Sequence, residues 1–174
     1  MSKAHYLVPT GPLGDPMTVR LGAAANSGAN LSVADEGKLV KLAGDSQYDL
    51  CVAGDLIHGA ILAIEVATSA GWTVGGVLDE DMLMVTADGL QATPGTGAIA
   101  VGDYVVAGTI TAKGTKLTTY PKVCKATIQP GDVPGTLTAA AAQTLASLHA
   151  WQVVSLGVAG TGAVGTSIVI KPMN

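Results

Sequence analysis

The sequence predicts an all-β protein: a small β-barrel or jelly-roll-like β-sandwich with one short α-helix and an extended N-terminal arm. Three observations predict it. A Gly-Asp pair precedes a short apolar segment three times, at Gly54-Asp55, Gly102-Asp103 and Gly131-Asp132. Glycine takes the positive φ of a tight turn, aspartate bonds its own nearby backbone, and the β-branched residues that follow suit a pleated surface. The 174 residues include 23 glycines, a turn-rich composition. Short apolar runs also recur at the spacing of about 8–12 residues typical of sandwiches and barrels.

Residues 1–28 are expected to form the arm and residues 29–174 a single β-rich domain. The arm carries Pro9, Gly11, Pro12, Gly14 and Pro16, which resist regular structure. Within it, Tyr6-Leu7-Val8 and Met17–Leu21 each suit a strand that completes either its own sheet or a neighbour's. Further strands are expected at Leu31–Val33, Lys38–Leu42, Leu50–Val52, Ala60–Ala67, Thr73–Leu78, Met82–Thr86, Gly102–Ala107, Lys116–Tyr120, Val123–Thr127, Trp151–Leu156 and Ser167–Lys171. In the fourth of these strands a two-residue period assigns Leu62, Ile64 and Val66 to the core and Glu65 to solvent. Leu137–His149 is the exception, with helix formers and apolar residues at Leu137, Ala141, Leu145 and Leu148. Thr136 or Thr138 caps its start, and Pro134 stops it extending backward. The first two Gly-Asp turns lie 48 residues apart, suggesting a duplicated strand-turn unit, although turn chemistry alone also produces such a pattern.

Hydrophobic residues make up 48% of the chain and charged ones only 13%, against about 25% charged in ordinary domains. Much of the surface is therefore neutral. Aromatic residues are 3% with no Phe, so Val, Leu, Ile and Ala build the core. A net charge of −4 repels a phosphate backbone, and nucleic acid is not an expected partner. Lys113, Lys116, Lys122 and Lys125 are explained by a solvated edge strand, which lysines protect from pairing. No apolar run approaches the roughly 20 residues that cross a bilayer, so no membrane partner is expected. The first residues lack the apolar stretch of a signal peptide, so Cys51 and Cys124 are expected to be reduced core thiols.

No reactive constellation stands out, and no catalytic, cofactor-binding or metal-binding residue is assigned; the chain is not expected to be an enzyme. Gly160-Thr-Gly162-Ala-Val-Gly165 spells a dinucleotide fingerprint, but too little chain follows for the required helix and acidic residue, so it is expected to be a loop before the last strand. His5, His58 and His149 stand apart without the short spacings of zinc ligands. Asp79-Glu80-Asp81 is expected to be a solvated hairpin turn that separates two sticky strands. Asn30-Leu31-Ser32 matches a glycosylation acceptor, which is idle without secretion.

Glu36 to Gly59 reads Glu-Gly-Lys-Leu-Val-Lys-Leu-Ala-Gly-Asp-Ser-Gln-Tyr-Asp-Leu-Cys-Val-Ala-Gly-Asp-Leu-Ile-His-Gly and continues to Ala63-Ile-Glu65. With Ala100-Val-Gly-Asp-Tyr-Val-Val-Ala-Gly108, Lys113-Gly-Thr-Lys-Leu117 and Trp151-Gln-Val-Val-Ser-Leu156, it resembles the capsid decoration, or cement, proteins of tailed bacteriophages. The resemblance spans about residues 36–171 and consists of turn-and-strand patterns. It implies a structural virion protein, present in the host cytoplasm during assembly. Such a protein binds the outer surface of an icosahedral capsid as a homodimer or homotrimer and stabilises contacts between major capsid subunits, without a cofactor. Tyr6, Leu7, Val8 and Pro9 are the expected contacts with the capsid or a neighbouring subunit. The alternatives are a head-fibre or host-surface-binding β module of the virion, and a small β-barrel hydrolase with a pocket that gathers His58 and carboxylates.

Overall fold

Five strands close into a barrel in a computed structural model of the chain, which describes residues 17–22, 31–44, 47–65, 73–129, 132 and 150–173. They are β1 (Met17–Leu21), β2 (Leu39–Gly44), β3 (Gln47–Leu50), β4 (Gly59–Glu65) and β5 (Thr73–Leu78), in the order β1-β3-β2-β4-β5. Six more follow: β6 (Leu83–Leu90), β7 (Thr93–Pro94), β8 (Tyr104–Ala107), β9 (Lys122–Lys125), β10 (Trp151–Ser155) and β11 (Ser167–Pro172). They form a second sheet ordered β11-β10-β8-β9-β6-β7. β11 pairs with β6 as well as with β10, so β6, β9, β8, β10 and β11 also form a ring. The all-β architecture follows the sequence; the helical segment among the described residues is a single 3-10 turn at Val33–Asp35.

The two rings are the same fold built twice. β1 runs parallel to β3 and antiparallel to β5, as β6 runs parallel to β9 and antiparallel to β11. The match holds residue by residue. Leu21 stands beside Tyr48 as Ala87 stands beside Val123. Val40 faces Leu50 as Val105 faces Lys125, and Ile61 faces Val77 as Val153 faces Ile170. The paired positions Val19/Val85, Leu21/Ala87, Val40/Val105, Tyr48/Val123, Ile61/Val153 and Val77/Ile170 are buried in both rings.

The repeat does not join the Gly-Asp turns suggested by the sequence. Gly102-Asp103 corresponds instead to Gly37-Lys38. In each pair the glycine N–H donates to one strand residue, which donates back to the carbonyl of the next residue: Gly37 and Lys38 on Ile61 (2.8 and 2.9 Å), Gly102 and Asp103 on Val153 (2.8 and 3.0 Å). Both glycines have positive φ, 85° and 93°, the conformation that opens this kind of β-bulge. The sequence link is weak because Lys38 stands where the second ring has Asp103.

A second bulge corrects the expected core of β4. The register shifts between Ile61 and Ala63, which breaks the alternation of faces. Ile61 and Ile64 are buried and Leu62 is only half-buried; Val66 lies outside the described residues. The equivalent strand β10 shifts between Val153 and Ser155.

Other expectations also give way to local chemistry. Leu31–Val33 leads into the 3-10 turn rather than forming a strand. Residues 52–55 form a turn closed by Asp55, so β3 ends at Leu50. Lys116–Tyr120 is a loop that buries Leu117. The lysine-rich β9 is no edge, since β8 and β6 flank it. Asp79-Glu80-Asp81 links one ring to the other rather than closing a hairpin, because β5 and β6 belong to different sheets. Met17–Leu21, placed in the arm from sequence, is a barrel strand with Val19 and Leu21 buried. The rest of the arm and the segment Leu137–His149 lie outside the described residues.

One apolar cluster, including Val40, Ile61 and Val77, fills the first ring. A larger one fills the second and takes in Leu39, Cys51, Ile57, Ala60 and Leu78 from the first. Burial of these first-ring side chains in the larger cluster fastens the rings together.

Candidate functional site

The rings meet at the turn that follows β3. Asp55 closes it twice: its carboxylate accepts the Val52 N–H at 2.7 Å, and its own N–H donates to the Val52 carbonyl at 3.0 Å. Gly54 sits at φ 87°, as the turn requires. The turn docks on β8 of the second ring, where Gly54 N–H donates to the Ala107 carbonyl (2.8 Å) and Ala107 N–H donates to the Asp55 carbonyl (2.9 Å). Lys41 pairs with Asp55 at 2.7 Å, which raises the lysine pKa.

Beside this junction, the loop following β8 is held at both ends by buried carboxylates. Asp88 accepts the Thr109 N–H at 2.7 Å, with Lys122 at 3.4 Å. Asp35 accepts from Lys38 Nζ and from the Gly114 N–H, both at 2.7 Å, while Lys38 also donates to the Ala112 carbonyl at 2.7 Å. Burial pushes both carboxyl pKa values up. The Lys38, Ser32 and Gly114 donors for Asp35, and Thr109 and Lys122 for Asp88, outweigh it, so both sit below the ordinary carboxylate value.

These anchors shape a cleft of about 630 Å³ between the rings, within the range of about 300–1,000 Å³ of small-ligand sites. Leu39, Leu117 and Ala107 line it along with Lys38, Lys113 and Lys122. Val52 and Ile110 also line it and remain exposed. Cys51 lies on the wall, but burial pushes its thiol up to about 12; burial likewise takes Cys124 to about 11. Both thiols are buried and unpaired, and both are protonated at neutral pH. His58 does not line this cleft. The carboxylate that lines it is Asp49 of β3, which accepts the Leu50 N–H at 2.8 Å.

A different surface is set apart by what it is made of. Residues 89–102 and 150–170 contain no charged side chain and no histidine. The fold lays these stretches together: Ala98 bridges Ala163, Ile99 N–H donates to the Gly162 carbonyl at 2.9 Å, and Gln152 Nε2 donates to the Gly102 carbonyl at 2.7 Å. Val101, Val154, Val158 and Val164 stand exposed on them. Gly162 has no room for a side chain, since an added Cβ would strike the Ile99 carbonyl.

Tyr6, Leu7, Val8 and Pro9, and with them His5 and His149, lie outside the described residues. Gly160–Gly165 is a loop before β11, as expected. Among the described residues, no group of three or more His, Cys, Asp or Glu is arranged to hold a metal ion. No described helix is long and apolar enough to cross a membrane. The sequence reading missed Asp35, Lys38 and Asp88. The Asp-x-x-Lys spacing around Gly37 was a usable signal for the first two; nothing local marked Asp88, whose partners are distant. No family model, curated protein or solved structure matches this chain.

Proposed function

We propose that the chain is a structural virion protein, a capsid decoration protein that binds the outer surface of an icosahedral phage head and stabilises contacts between major capsid subunits. The observation that carries the reading is the pair of charge-free stretches, residues 89–102 and 150–170, which the fold lays together with four exposed valines. Apolar surface rimmed by polar residues is the mark of a protein-binding site. A face without charges lies against another protein without burying unpaired ions, and repetition over a lattice multiplies a modest contact. The turn-and-strand resemblance of residues 36–171 supports the same reading.

The test is to mix purified protein with empty expanded heads and measure stoichiometry and thermal rupture. Saturable binding and a raised rupture temperature are expected, with at least ten-fold weaker binding for Val101→Asp/Val158→Asp. Failure of the wild-type chain to bind any head overturns the function. Undiminished binding of the double variant overturns the face.

A further inference from the structure

The cleft between the rings combines two kinds of surface. Leu39, Leu117 and Ala107 supply buried apolar wall. Val52 and Ile110 continue that wall outward and remain 50% and 49% exposed, so the cleft opens to solvent past apolar side chains. Set into the same lining are the lysines Lys38, Lys113 and Lys122.

These cations differ in what already answers their charge. Lys122 lies 3.4 Å from Asp88. Lys38 Nζ donates to the Asp35 carboxylate and to the Ala112 carbonyl, both at 2.7 Å. An ammonium carries three N–H donors, and the third on Lys38 has no acceptor among the described residues. The Lys38 side chain is only 6% exposed, and a donor so buried calls for a partner. The Lys113 ammonium makes no hydrogen bond or ion pair among the described residues. Its position is nevertheless fixed, because Ala112 before it is held by Lys38 and Gly114 after it by Asp35, which keeps the Lys113 backbone beside the buried ion pair. Asp49, the carboxylate on the wall, stands opposite Lys41 in the β2–β3 ladder and accepts the Leu50 N–H. A cation without a counter-charge and a buried ammonium with an unused proton therefore lie together beside apolar wall.

We propose that this cleft binds an aliphatic carboxylate of the fatty-acid type, its head taken by Lys113 and the third N–H of Lys38 and its chain laid along Leu39, Leu117, Val52 and Ile110. One unanswered positive charge matches one carboxylate, whereas a phosphate dianion would bring surplus negative charge towards Asp49. Bonds from an ammonium to a carboxylate are stronger than those to a neutral oxygen, so the charged head decides the fit. Each methylene taken out of water adds about four-fold to the affinity. The inference goes beyond capsid binding and is independent of it.

The test is calorimetric titration of the full-length protein with octanoate, decanoate and octanol. One site per chain is expected, with decanoate bound about ten-fold more tightly than octanoate. Octanol keeps the chain and lacks the charge, and should bind about ten-fold more weakly than octanoate. Lys113→Gln, with unchanged circular dichroism, should bind octanoate about ten-fold more weakly and octanol as the wild type does; a merely structural loss would weaken both. In amide NMR spectra octanoate should shift Leu39, Thr111 and Leu117 and leave Val101 and Val158 in place. No saturable decanoate binding at about 1 mM, octanol bound as tightly as octanoate, a Lys113→Gln variant that binds octanoate as before, or shifts centred outside the cleft would each overturn the proposal. Phage heads play no part in these measurements, so failure here leaves the decoration reading standing, and failure there leaves this one.

Discussion

The Asp35 carboxylate and the Lys38 ammonium meet at 2.7 Å inside the protein, and each also holds the loop that leaves the second ring, Asp35 through the Gly114 N–H and Lys38 through the Ala112 carbonyl. One ion pair thus ties the first ring to a wall of the cleft. Asp35→Ala leaves a buried ammonium without its counter-charge, a loss of about 3–5 kcal/mol. At about 2–4 °C per kcal/mol for a chain of this size, a melting temperature lower by about 6–20 °C is expected in calorimetry. A change under 2 °C would refute the brace.

Acid should weaken the same anchors. Asp35 and Asp88 have pKa values below the ordinary carboxylate value in the folded state, so their contribution is fully present above the unfolded value near 3.9 and is lost as pH falls through the folded values. Urea midpoints measured from pH 6 to pH 2 should therefore drop most steeply below about pH 4. Asp35→Asn and Asp88→Asn should each flatten that drop; a parallel shift would show that other groups cause it.

The cysteines should be slow towards thiol reagents. With the Cys51 thiol near 12 and Cys124 near 11, against about 8.5 for a free thiol, the thiolate fraction at pH 8 falls by at least about a hundred-fold. Labelling with a chromogenic disulfide at pH 8 should be at least 100-fold slower than in urea. Fast labelling of Cys51 would show that the cleft wall opens.

Duplication makes a matched pair of predictions. Gly37 and Gly102 hold the same bulge at φ 85° and 93°, and an added Cβ at Gly102 meets nothing closer than the Gln152 amide at 4.0 Å. Gly102→Ala should thus cost backbone strain alone, about 1–2 kcal/mol, and Gly37→Ala a similar amount. Denaturant titration of both variants checks it; costs differing by more than about 2 kcal/mol would contradict the equivalence.

The β4 bulge separates two neighbouring residues. Ile61→Ala should cost about 2–5 kcal/mol by opening a cavity, and Leu62→Ala distinctly less, since Leu62 is half-buried. The reverse ranking in denaturant titrations would restore the unbroken alternation expected from sequence.

What the sequence disclosed was local. Thr73–Leu78 is found at its predicted limits because β-branched residues lie between clear turn signals, and the Asp55 and Asp103 turns behave as their residues require. Long-range consequences were hidden. Leu62 changes face because a bulge adds a residue to the strand, which no period reveals, and β9 is interior because β6 and β8 pair with it on either side, its Lys122 and Lys125 finding Asp88 and Asp103. The cleft draws its walls from residues 38–39, 49–52 and 107–122, segments adjacent only after the rings dock. The suggested duplication joined the wrong turns because the strands share register rather than residues, Tyr48 standing where Val123 stands.

β1 is stitched to β5 along its whole length and to β3 at its end, so the earliest strand of the described chain finds its last neighbour only at Leu78. During synthesis it must wait for more than fifty further residues to leave the ribosome, and until then β1 and β4, the two neighbours of β5, have unguarded margins. The second ring repeats that delay with β6 and β11. A polypeptide that assembles this way is best served by quick completion of each half in turn, the first ring closing while the second is still being made.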